Sequence, residues 1–254
     1  MRIALLSDIH GNSVALDAVL DDIRGQDGVD GFCILGDLVA LGPDPVGVLE
    51  RLTALPNPRF VRGNTDRYVA SADRPAPTLE EAAAKPELIA SLVEVANTFA
   101  WTQGMVTSAG WLPWLRDLPL ELNLTLPGGT RFLGVHASPG KDDGPGVTPE
   151  TTALELAPLF SGCDATLVCV GHTHLPSDRV WNGIRIVNLG SVSLSLAAGK
   201  ASSYVLVDAT ETQIRIEHRR VSYDRAAVID QLNQIAHPGR AYLIKYLSNA
   251  APNW

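Results

Sequence analysis

A chain of 254 residues, 46% hydrophobic and 19% charged, can bury a substantial core, and no apolar run in it approaches the roughly 20 residues a bilayer crossing needs. Its net charge of −8, with no long lysine or arginine block, argues against a protein that tracks long nucleic acid. Cys33, Cys163 and Cys169 are an odd set without C-x-x-C spacing, so reduced thiols are expected, and the lack of an apolar span or signal-peptide pattern leads us to expect a cytoplasmic location and no membrane partner.

MRIALLSDIH reads as a first strand running into a polar cluster, not as a signal peptide. Val14, Leu16, Val19, Leu20 and Ile23 then recur as the buried stripe of a helix, with Asn12 or Ser13 placed to cap its start. GFCILGD, a helix around Pro45 to Leu55 and a strand from Arg59 to Arg62 continue the alternation, which predicts a β-α-β-α-β unit on a parallel sheet. From 78 to 119 the chain turns alanine-rich and helical, with Trp101, Trp111, Trp114 and Leu115 at helical spacings. We read this stretch as a helical insert packed on one domain spanning 1–254.

Beyond it, ELNLTLPGGTRFLGVHAS predicts one β-hairpin, DRVWNGIRIVNLG a second around Asn182-Gly183, and SSYVLVDATETQIRIEHRRVSY two more strands. The C-terminal half is therefore expected to be mostly antiparallel and to add a second sheet. A helix from Asp224 to Ile235 and a short terminal helix close the chain.

Five of the apolar runs end in polar clusters that supply Asp8, His10, Asp37, Asn64, His136, His172 and His174. In an open α/β sheet such strand ends are where ligands gather. All seven side chains offer oxygen or nitrogen, a set suited to a pair of divalent metal ions. Asp8 and His10, two apart at a strand end, leave on one side, and the two oxygens of Asp37 can bridge ions about 3.5–4 Å apart. A sixth cluster, Asn188, Gly190 and Ser191, reads as a supporting turn.

The order D-x-H, G-D-x-V, G-N-x-D, a histidine after a strand and then G-H-x-H resembles the calcineurin-like metallophosphoesterase family over residues 1 to about 191. The resemblance implies an α/β fold of two packed mixed β-sheets flanked by helices, with a dinuclear centre at their carboxyl-end edge. It implies that Asp8, His10, Asp37 and His174 hold one ion and Asp37, Asn64, His136 and His172 the other, with manganese the first choice among manganese, iron, zinc and nickel. Asp37, Asn64 and His136 are then the candidate catalytic residues, and a hydroxide bridging the ions is the nucleophile toward a small phosphoester. Two divalent ions, two aspartates and one hydroxide leave about +1, which suits a phosphodiester and tolerates a monoester.

The protein Ser/Thr phosphatase branch of that family carries G-N-H and G-D-x-V-D-R-G, where this chain has Gly63-Asn64-Thr65-Asp66 and GDLVALG. Thr65 replaces a titrating proton donor worth about 10²- to 10⁴-fold in rate, which favours good leaving groups. G-N-x-D, GHTHLP and NLGS resemble instead the small bacterial phosphodiesterase-like branch. The alternatives are a phosphomonoesterase and a non-catalytic scaffold on the same fold. Arg62 and Arg67 could bind substrate phosphate or hold a loop through a carboxylate. Asp66 is expected to accept backbone hydrogen bonds or to orient a metal ligand rather than bind metal itself, and His218 and His237 to lie at the surface.

Overall fold

The computed structural model describes residues 1–26, 28–71 and 73–248. Strand β1 (Arg2–Leu6) is followed by α1 (Ser13–Arg24), whose first turn is capped by the Asn12 side chain accepting from the Ala15 N–H at 3.0 Å. Strand β2 (Gly31–Leu35), helix α2 (Pro45–Thr53) and strand β3 (Pro58–Val61) repeat the unit, and β1, β2 and β3 pair in parallel. Helix α3 (Asn64–Ala70) leads into α4 (Leu79–Ala84), α5 (Ile89–Ser108) and α6 (Leu112–Arg116), which fill the expected insert.

Strands β4 (Glu121–Leu126) and β5 (Thr130–Val135) form the first predicted hairpin, turned by Gly128 and Gly129 at positive φ. Helix α7 (Ala153–Leu159) and strand β6 (Leu167–Val170) precede the second hairpin, β7 (Ser177–Trp181) and β8 (Ile184–Asn188). Asn182 (φ 47°) and Gly183 (φ 80°) make its two-residue turn, the conformation that follows the right-handed twist of the strands. Strands β9 (Ser202–Ala209) and β10 (Ile214–Val221) and helices α8 (Arg225–Gln234) and α9 (Arg240–Ser248) complete the described chain.

The strands form two mixed five-stranded sheets, ordered β10-β9-β1-β2-β3 and β4-β5-β6-β8-β7. This corrects the expected arrangement of the C-terminal half in two ways. The β9–β10 hairpin joins the first sheet, β9 lying antiparallel to β1. The centre of the second sheet is parallel, β5-β6-β8, with antiparallel strands only at its edges. Strand β9 is buried along nearly its whole length, as a central strand must be, whereas β10 is mostly half-exposed at the edge.

The period of two along β1 divides it between two cores. Ile3 and Leu5 face the second sheet and pack with Phe132, Leu167, Cys169 and Val187. Ala4 and Leu6 face outward, into one cluster with Leu16 and Val19 of α1, Leu49 of α2, and Phe99, Val106 and Leu115 of the insert. Trp111 and Trp114 cover that cluster, and Trp101 packs edge-on against His237 with ring centroids 4.5 Å apart. The outer face of the second sheet packs under α7 through Val135, Leu156, Val168 and Ile186. Helix–sheet–sheet–helix layering therefore follows from strand periodicity. Among the described residues no helix is long and apolar enough to cross a membrane.

Candidate metal centre

The strand ends are stitched together by their own backbone. The Asp8 N–H donates to Gly36 O, the His10 N–H to Asp37 O, the Gly171 N–H to His136 O and the Ser193 N–H to Asp8 O. Close approach is permitted by glycine: a Cβ on Gly171 would lie 1.8 Å from Ser7 Oγ, and one on Gly63 2.1 Å from Asp37 Oδ1. Asp8, His10, Asp37, His172 and His174 all hold left-handed backbone, with φ between 49° and 69°. Each such non-glycine residue costs about 1–3 kcal/mol, strain of the kind that concentrates at functional sites.

All seven predicted donors converge. His174 Nε2 lies 3.1 Å from Asp8 Oδ1 and 3.2 Å from His10 Nε2. His136 Nε2 and His172 Nδ1 stand 3.1 Å and 3.2 Å from Asn64 Oδ1. Asp37 sits between these groups, with Oδ2 3.7 Å from His10 Nε2 and Oδ1 3.4 Å from His136 Nε2. Ligands about 2.1 Å from one ion are themselves about 3.0–3.4 Å apart, so the closer contacts have the spacing of a shared coordination sphere. Asp8, His10 and His174 form one compact group of ligand atoms, and Asp8, Asp37 and His136 another.

Three imidazoles are aimed by backbone carbonyls. His136 Nδ1 meets Leu35 O at 2.7 Å, His174 Nδ1 meets Leu194 O at 2.8 Å, and His172 Nε2 meets Gly144 O at 2.8 Å. Each carbonyl can only accept, so it fixes a proton on that nitrogen and turns the other ring nitrogen toward the cluster. Asp8 Oδ1 and His10 Nδ1 are buried with no hydrogen-bond partner. Orphaned donors inside a ring of nitrogen and oxygen atoms fit a divalent cation.

The electrostatics agree. Burial opposes charge on Asp37, yet His136, His10 and His172 hold its carboxyl well below the usual range. Burial likewise opposes a charge on His136, but Asp37 and Asp8 push its pKa up to about 10. His10, where burial dominates, is pulled down to about 4. Two buried carboxylates therefore draw positive charge into the cluster, which metal ions are suited to supply.

Supporting residues are as instructive as the donors. Asp66 accepts from the N–H groups of Asp37, Leu38 and Gly63, which fixes the turn that presents Asp37. Burial and the Asp37 charge push its carboxyl up to about 7 against those donors. The Asn188 amide donates to Val147 O, Gly171 O and Thr173 Oγ1 around GHTH, and Ser191 Oγ donates to Asp8 O. Both Arg62 and Arg67 pair with Asp142, and Arg67 also with Asp73 and Asp143, so they hold the loop after β5. That loop carries Gly144, the carbonyl on His172.

Reading the sequence missed Ser7, whose Oγ donates to Asp8 Oδ2 at 2.5 Å, although its place beside Asp8 at a strand end was a signal. It also missed Asp142 and Asp143, whose arginine partners lie some 75–80 residues away. His237 is buried rather than exposed, held under Trp101, and His218 is half-buried and meets Asn188 O at 2.9 Å. Both were expected at the surface; neighbours remote in sequence cover them.

The model of the calcineurin-like phosphoesterase superfamily domain matches residues 1–212, and the chain belongs to that superfamily. An uncharacterized protein of Methanocaldococcus jannaschii is 29% identical over 237 residues, covering 87% of this chain and 88% of that one. A crystal structure of a metallophosphoesterase from Sphaerobacter thermophilus superposes with TM-score 0.76 at 25% identity, covering 99% of this chain and 100% of the other. A hypothetical protein from Pyrococcus horikoshii OT3 superposes with TM-score 0.81 at 24% identity over 98% of each chain. The coverage in both directions shows that the fold is shared along nearly the whole of these chains.

Proposed function

We propose that the protein hydrolyses small phosphodiesters with two divalent metal ions held by the seven converging side chains. The observation that carries this reading is Asp37, whose two oxygens face two different imidazoles, His10 and His136. Asp8, His10, Asp37 and His174 would hold one ion, and Asp37, Asn64, His136 and His172 the other. A nitrogen and oxygen set without thiolate suits manganese first and accommodates iron, zinc or nickel. When bound, such a pair supplies positive charge that acidifies water and neutralises a phosphate.

The chain's own residues do the rest. Leu35, Leu194 and Gly144 carbonyls keep His136, His174 and His172 aimed inward. Asp66 and the backbone bonds between strand ends hold Asp37 in its strained turn, so little reorganisation remains when substrate arrives. Thr65, the residue after Asn64, does not titrate near neutral pH, which favours esters whose leaving group needs little protonation. Buried, unpaired thiols at Cys33 and Cys169 suit a reducing cytoplasm.

The test compares bis(p-nitrophenyl) phosphate with p-nitrophenyl phosphate on the manganese-loaded protein. The expected result is a kcat/KM about tenfold or more higher for the diester. A monoester preference would make the protein a phosphomonoesterase, and no turnover of either with both ions bound would make it a scaffold.

A further inference from the structure

Beside the metal centre lies a cavity of about 300 Å³ between α5, α9 and the start of α3. Its walls are chiefly hydrocarbon and aromatic, from Leu41, Val95, Phe99, Tyr242 and Leu243. Polar groups of Thr65, Ser91, Glu94, Thr98 and Tyr242 interrupt that lining. Thr65 Oγ1 and Glu94 Oε1 are buried without hydrogen-bond partners, and the Thr65 side chain is more than nine-tenths buried. The cavity adjoins the metal cluster: the Thr65 N–H donates to Asp37 Oδ1 at 2.9 Å, and Leu41 shares with His10 the lining of a smaller neighbouring cavity.

From this geometry we infer that the cavity receives one ester arm of the substrate, and that the arm is a nucleoside whose base bears an exocyclic amine. The inference rests on the phosphodiesterase reading and names the substrate class. A volume of about 300 Å³ is at the small end of ligand pockets, and a flat ring against Phe99 and Tyr242 fits its walls. A carboxylate only accepts, so Glu94 requires an N–H or O–H donor on the ring, whereas the Thr65 hydroxyl can serve either role. A purely hydrocarbon arm would leave both atoms unsatisfied, at about 1–3 kcal/mol each, which excludes simple alkyl and lipid esters as the best fit. Helix α5 thus brings Glu94 to the same cavity that Thr65 lines, and this helix shapes specificity.

The test uses the metal-free full-length protein and adenosine, so it does not depend on turnover. Adenosine is expected to bind saturably, and N6,N6-dimethyladenosine, which lacks the amine donors, about tenfold or more weaker. Glu94→Leu should abolish that preference. Ser91→Trp at the exposed rim and Val95→Trp in the wall should each weaken adenosine about tenfold or more, thermal melting confirming that both variants are folded. No saturable binding at millimolar adenosine, or binding unchanged in both folded tryptophan variants, overturns the inference. Adenosine binding in a protein that hydrolyses no phosphoester would leave the cavity assignment standing and sink the proposed activity. Diester turnover without adenosine binding would do the reverse.

Discussion

Asp66→Ala isolates the scaffold of the metal centre from the metal itself. Asp66 accepts three buried N–H bonds, from Asp37 and Leu38 at 2.8 Å and from Gly63 at 2.9 Å. Leaving a buried donor without its partner costs about 1–3 kcal/mol, so three together cost roughly 3–6 kcal/mol even if water relieves part of the loss. Against a typical total stability of about 5–15 kcal/mol, that is a large fraction. Urea unfolding of the metal-free protein reads it as a fall in the midpoint at constant slope. Asp66→Asn, which keeps one carbonyl acceptor, should lose less than Asp66→Ala. If Asp66→Ala unfolds within about 0.5 kcal/mol of the parent, the range of an ordinary surface change, then the turn carrying Asp37 is held by something else and the reasoning fails.

Asn188→Ala removes the amide that donates to Val147 O, Gly171 O and Thr173 Oγ1, and should weaken metal binding about 10- to 100-fold in a chelator competition; undiminished affinity would show that GHTH holds its own shape. His237 is buried and its pKa is pulled down to about 4 from 6.5, so below pH 6.5 the unfolded chain binds the proton that the folded chain refuses. Stability from this group is therefore full above about pH 6.5 and declines as pH falls toward 4, by up to about 3 kcal/mol at about 1.4 kcal/mol per unit. His237→Asn keeps an acceptor for the Gly239 N–H but cannot titrate, so its stability curve should be flatter over that interval. Parallel curves for the two proteins would rule the effect out.

What the sequence disclosed was chemistry tied to strand ends. The donors of the metal centre were legible because each follows an apolar run by one to four residues, and parallel strands deliver such positions to one edge. The cap at Asn12 and the Asn182-Gly183 turn were legible because their mechanism is local. Strand order was not. Alternation says that a strand has a buried face but not which neighbour it takes, so the β9–β10 hairpin gave no sign that it would pair beside β1. Pairings across many residues were equally hidden: Arg62 and Arg67 with Asp142, and Trp101 with His237. Arg62 and Arg67 show the limit well, since nothing near them in sequence points to Asp142 as their partner.

The central claim is that Asp37 joins seven side chains into a centre for two ions. Metal analysis of the purified protein after manganese loading and gel filtration, with Asp37→Asn alongside, tests it most directly. The account predicts two ions per chain in the parent, and in Asp37→Asn both ions depleted together with most of the diester turnover. An Asp37→Asn protein that keeps two tightly bound ions and an unchanged kcat would contradict it.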